Sequence, residues 1–222
     1  MCLTRVIAAL SIALLSSSVF AQEWVEFASP EDRFTVTFPA QPTVTQTTYK
    51  SQFDAELPAR VYSVEQGQGR YSVTVVDYSN IEGILTEKAK ACPEGAETCS
   101  GGGSGAGAGY WRADFYGAKI HATWQLLQRD ASVTYVGWNS ANLVEGHMLS
   151  LVNNADKSTT SAAVYMHDNR LYILEGTVPD GYPAPAFFQQ SVGWLDENGN
   201  SLRYQTIYHH GFPQPPVRRT QQ

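Results

Sequence analysis

Ala162-Ala-Val-Tyr-Met166, His167-Asp-Asn-Arg170, Leu171-Tyr-Ile-Leu174: two short apolar runs bracket a polar tetrapeptide. Asp and Asn side chains bond to their own backbone and tolerate turn geometry, so the stretch reads as two strands joined by a tight turn. The same unit recurs upstream. Residues 59–66 and 70–79 flank Gly67-Gln-Gly69, with Tyr71, Val73 and Val75 alternating against Ser72 and Thr74, a hairpin pattern. Residues 24–27 and 34–38 flank a turn containing Pro30, Glu31 and Asp32. Phe34, Val36 and Phe38 share one face and threonines the other, which makes a half-buried strand, stopped by Pro39 and Pro42. Residues 43–53, 132–138, 146–152 and 201–208 read as further strands. So do residues 120–127, where Ile120, Ala122, Trp124 and Leu126 face together.

Two helices complete the pattern. Asn80 is a suitable N-cap for a short helix through Ala91, with Ile81, Ile84 and Leu85 on one side. Ala184, Phe187, Phe188, Ser191, Val192 and Leu195 follow helical spacing, so residues 184–195 are expected to form an amphipathic helix buried along its length. Pro183 and Pro185 mark its start and Asn198-Gly199 its end. Hairpin-linked strands with two helices predict an α+β domain, a mainly antiparallel sheet covered by helices. No internal repeat is visible.

The ends and one interior segment depart from this texture. Arg5, the apolar run from Val6 to Leu15 and a small-residue stretch ending Val19-Phe20-Ala21 have the three parts of a secretory signal, so residues 1–21 are expected to be a signal peptide. Ten apolar residues as a helix cover about 15 Å, roughly half a bilayer core, which is too short for an anchor. Cys2 precedes the apolar run and cannot be a lipoprotein attachment site. Residues 22–208 are then one domain, interrupted by a Cys/Gly-rich insertion at 92–109. Residues 209–222 form a Pro-rich tail expected to be flexible. The remainder carries no stretch of membrane-spanning length.

Loss of residues 1–21 removes Arg5 and no acid, taking the net charge from −6 to −7. An acidic chain whose one adjacent basic pair is Arg218-Arg219 is a poor ligand for nucleic acid or anionic membranes. Cys92 and Cys99 remain after cleavage, with six residues between them. In an oxidising compartment such a pair is expected to form a disulfide, worth roughly 2–3 kcal/mol for so short a loop. Free thiols and half of a metal site are the rival readings. A tetrahedral zinc needs four ligands, and no His or second Cys pair lies at finger spacing.

Phe34-Thr-Val-Thr-Phe38-Pro39 with its Pro-bounded break, and His167-Asp-Asn-Arg-Leu-Tyr-Ile-Leu-Glu-Gly176 ahead of Phe187–Ser191, resemble the corresponding parts of PsbP-like domains. The resemblance covers residues 23–208 loosely. It implies an α/β/α sandwich around an antiparallel sheet, usually without enzymatic activity. PsbP itself assists a membrane protein complex and relates to metal handling. The 92–109 insertion departs from the family pattern, and no ligand residue carries over.

Motifs for chemistry are weak throughout. The run Gly101–Gly109 has the Gly-x4-Gly spacing at Gly102 and Gly107, but Ala108 stands where a phosphate loop needs Lys. It reads as a linker. His121, His147, His167, His209 and His210 are scattered and expected at the surface. Glu31-Asp32 and Asp196-Glu197 read as solvated turn acids. There is no Gly-x-Ser-x-Gly elbow, although a triad assembled in three dimensions leaves no sequence trace. No catalytic, cofactor or metal residues are assigned. Tyr110 and Trp111 are candidates for a partner or glycan surface, against the plainer alternative that they are core under the loop. The expectation is an exported, periplasmic or secreted, non-catalytic module that binds an envelope protein or glycan or supports assembly. A small hydrolase and a glycan-binding protein are the alternatives.

Overall fold

The computed structural model describes residues 24–90 and 110–218. The signal segment, Cys92, Cys99 and the glycine run lie outside the described residues.

The strands expected from alternation form first. β1 (Val25–Ser29) pairs antiparallel with β2 (Phe34–Phe38), Phe27 opposite Val36. β3 (Thr43–Lys50), β4 (Glu56–Gln66) and β5 (Gly69–Asp77) follow as an antiparallel meander. Gly67, with φ +61, takes the left-handed conformation that the β4–β5 turn requires. α1 (Ile81–Lys90) starts after Asn80 and buries Ile81 and Leu85.

α2 (Tyr110–Leu127) replaces the strand expected at 120–127. Ala122 and Leu126 satisfy a period of two and a period of four alike, and that ambiguity produced the strand reading. The longer series Trp111, Phe115, Ala118, Ala122 and Leu126 has helical spacing, and these residues face the core. The change inverts the two largest side chains. A strand would bury Ile120 and Trp124 with Ala122; the helix turns them outward, 64% and 54% exposed.

β6 (Ala131–Ala141) and β7 (Val144–Asn153) form a hairpin, and β8 (Thr159–His167) and β9 (Arg170–Val178) form the hairpin expected around Asp168-Asn169. Asp168 and Asn169 have φ of 48° and 57°, the pair of left-handed residues that a two-residue hairpin turn demands. The expected helix 184–195 is a single turn, α3 (Ala186–Gln190), followed by β10 (Gly193–Leu195), with β11 (Ser201–Leu202) after it. Trp194 pairs with Phe34 in strand register, which ends the helical series at Gln190. Phe188 is fully buried, as expected; Phe187 points to solvent, 61% exposed. Beyond β11, the strand expected over 201–208 reduces to isolated bridges, Tyr204 to Val217 and Tyr208 to Val144.

Among the described residues the strands form two sheets. One is antiparallel, in the order β3-β4-β5-β9-β8-β7-β6; the other runs β1-β2-β10-β11. Each face of the larger sheet supports a core. On one face Tyr62, Val73, Tyr165, Tyr172 and Leu174 meet Phe34, Val36 and Phe38 of the small sheet, with Phe188 and Trp194. On the other, Leu57, Val76, Val164, Met166 and Leu171 meet Ile81 and Leu85 of α1 and Ala118, Ala122 and Leu126 of α2. β8 and β9 are covered on both sides, which is why their sequences are nearly continuous apolar runs. No helix among the described residues is long and apolar enough to cross a membrane.

Candidate functional site

Titratable groups gather in three places, and the first is an anchor. Asp32 follows the β1 end and is 2% exposed, not the solvated turn acid its sequence position suggests. Arg60 of β4 forms a two-pronged ion pair with its carboxylate, Nε to Oδ2 being 2.7 Å, and Tyr62 donates to Oδ2 at 2.6 Å. Tyr172 donates to its backbone carbonyl at 2.8 Å. Arg33 pairs with Asp168, and Arg170 lies between Asp168 and Asp32. Both Asp32 oxygens are thus occupied by donors from strands of the larger sheet, so the network clamps the small sheet onto it.

His167 stands at the end of β8 beside this network, 1% exposed. Nε2 lies 2.8 Å from the Tyr204 hydroxyl, and the ring packs 4.8 Å from Trp194 and 5.0 Å from Tyr208. Burial, reinforced by Arg170 and Arg33, pushes its pKa down to about 3. It is neutral at physiological pH and enclosed, a core residue and not a proton carrier. Its sequence position carried one signal of this: it ends an uninterrupted apolar run.

The second gathering joins α2 to β7 and the C-terminal segment. Lys119 Nζ lies 2.6 Å from Glu145, whose other oxygen is 2.7 Å from His209 Nδ1. Burial acts to raise the Glu145 carboxyl, but Lys119 and His209 outweigh it and hold the group below its usual range. Thr123 Oγ1 is 2.8 Å from His147 Nδ1 and also donates to the Lys119 carbonyl one turn back. A hydroxyl committed to its own helix backbone is a poor nucleophile, so this pair positions side chains. His210 is buried, its Nε2 at 3.2 Å from the carbonyls of Phe115 and Tyr116, and it fastens residues 209–212 to α2. On the opposite side of α2, Asp114 accepts a hydrogen bond from Ser51 Oγ and ties the helix to the turn after β3. Burial holds its carboxyl above the usual range.

The third is an open cleft of about 700 Å³ where the larger sheet extends past the end of α2. Gln41, Ser63, Arg70, Ser72, Arg129 and Glu175 line it, and Arg129 Nη2 lies 3.0 Å from Glu175. This cleft and three smaller ones among the described residues are lined without histidine. Among the described residues no group of three His, Cys, Asp or Glu side chains is placed to hold a metal ion.

The candidate aromatics divide. Tyr110 and Trp111 occupy the first turn of α2 and are half-buried. Tyr110 meets Phe53 edge-on at 5.1 Å, while Trp111 packs on the helix-side core with the Arg112 guanidinium 5.2 Å from its ring. The open apolar surface lies further along. Tyr116, Ile120 and Trp124 recur every four residues on the outer side of α2. Val133, Val136 and Trp138 of β6 pair with Leu151, Leu149 and His147 of β7, which puts them on the helix side of the sheet. All six are about half or more exposed. Sequence reasoning missed this face because it assigned Trp124 to a buried strand.

Fold and surface together define a sheet-dominated α+β protein with exposed apolar side chains on the outer side of α2 and along β6. No family model matches the chain, and no curated protein matches it.

Proposed function

We propose that the chain is an exported, non-catalytic binding or assembly-support module of the cell envelope, and that the α2–β6 face is where it docks. The observation that carries the reading is the exposed apolar surface on α2 and β6. Clusters of exposed aromatic and branched side chains on one element mark interaction surfaces. Export is supported by the signal pattern of residues 1–21. The PsbP-like relationship belongs to the same proposal, on the strength of the Phe34–Phe38 and His167–Gly176 segments. A glycan-binding reading has one observation of its own, the polar cleft around Arg70 and Arg129, whose mixture of hydroxyls and paired charges suits a polar ligand.

The test is retrieval of binding proteins from the native envelope by the exported chain. Ile120→Ser with Trp124→Ser should abolish capture of any specific partner without lowering the melting temperature, since both side chains are mostly exposed. Capture that survives this double change would move the site away from α2.

A further inference from the structure

The β6 edge of the larger sheet has properties that name its occupant. β6 is the terminal strand of the sheet, so alternate residues along it leave backbone N–H and C=O groups unpaired. Proteins guard such edges with charge or proline. Between Asp130 and Glu145 this chain has neither. The guard it does have, a bulge between Val133 and Tyr135, sits near the start of the strand and leaves Tyr135–Ala141 regular. The opposite edge, β3, differs: it is rich in Thr, ends in Lys50 and follows Pro42.

We propose that β6 pairs antiparallel with β6 of a second copy of this chain, joining two sheets edge to edge about a two-fold axis. The inference rests on the docking-face reading above and names the partner. Three arguments select a second copy. Charges at or beside a two-fold axis meet their like, and in a chain of net charge −6 this edge carries none between Asp130 and Glu145. A strand that pairs antiparallel with its copy is automatically two-fold, which closes the assembly at a dimer. The size is that of a weak pair: the exposed side chains of Val133, Tyr135, Val136 and Trp138, with the regular backbone of residues 135–141, make a small seam of the kind that forms concentration-dependent interfaces.

The geometry fixes a register. Trp138 is the centre of the regular run, so it faces Trp138 of the second copy, with Val136 opposite Ser140 and Tyr135 opposite Ala141. An axis perpendicular to the sheet keeps both α2 helices on the same side, flanking the tryptophan pair. Cross-strand aromatic pairs of this kind stabilise antiparallel seams.

Sedimentation velocity on the mature chain, from about 1 to about 500 µM, tests the proposal across the affinity range such a seam supports. The expected result is a concentration-dependent monomer–dimer equilibrium. Trp138→Lys and, separately, Val136→Lys should each weaken it at least tenfold with unchanged melting temperature, while Phe187→Ser, on the far side, leaves it intact. A chain monomeric throughout, or a dimer indifferent to both lysines, overturns the proposal. If the chain is monomeric and Trp138→Lys still abolishes capture of an envelope protein, the second copy falls and the docking face stands.

Discussion

Phe188→Ala lowers the stability of the protein by about 3–5 kcal/mol, whereas Phe187→Ala, one residue away, costs about 1 kcal/mol or less. Phe188 is fully buried, its ring 5.1 Å from Phe38 and 5.4 Å from Tyr71, so it joins α3 to both sheets. Removing it opens a cavity between elements that cannot collapse onto one another, because each is held by its own hydrogen-bonded ladder. Phe187 is 61% exposed and meets Trp24 edge-on at 5.5 Å. A domain of this size has about 5–15 kcal/mol in total, so the first change removes a large part of the margin. At about 2–4 °C per kcal/mol, the melting temperature should fall by roughly 6–20 °C, with almost no movement for Phe187→Ala. Equal shifts for the two variants would mean that residues 184–195 form the continuous buried helix after all.

Acid should destabilise the protein well before its carboxylates titrate. The pKa of His167 falls from its ordinary 6.5 to about 3 on folding, because the buried ring cannot be charged without losing its hydration beside Arg170 and Arg33. Between those values the unfolded chain binds a proton that the folded chain does not. The stabilisation is therefore complete above pH 6.5 and drains away as pH falls toward 3, at about 1.4 kcal/mol per unit for one proton. His147 and His210 are shifted in the same direction, by burial first, and add to the slope. Denaturant titrations at pH 7, 6, 5 and 4 read it out. His167→Phe should forfeit the Tyr204 hydrogen bond, about 1 kcal/mol at every pH, and make the decline shallower. An unchanged decline in that variant would show that His167 is not where the proton acts.

The parts of the fold that were legible in the sequence are those whose cause is local. The β8–β9 hairpin could be read because Asp168 and Asn169 supply the turn and the flanking residues are apolar on both sides. The β4–β5 hairpin could be read because Gly67 and the Tyr71–Val73–Val75 alternation agree. α2 was misread because Ala122 and Leu126 fit both periods, and extending the window back to Trp111 would have resolved it. α3 was overextended because Val192 and Leu195 keep helical spacing while β2, more than 150 residues earlier, claims Trp194 for a strand. The charged anchor had no local cause at all. Asp32 is buried only because Arg60 and Tyr62 arrive from the next sheet, and His167 only because Tyr204 and Trp194 close over it. The exposed apolar residues of α2 and β6 were hidden for the opposite reason: they are the type that a sequence reading assigns to the interior.

The central claim is that the α2–β6 face is used. Replacing Trp138, Trp124, Phe187 or Ser63 in turn by a photoreactive amino acid, and irradiating cells that produce the chain, reads contact at each position directly. Covalent adducts are expected from positions 138 and 124 and none from 187 or 63. Adducts from 187, or from Ser63 in the polar cleft, with none from 138 or 124, would contradict the claim.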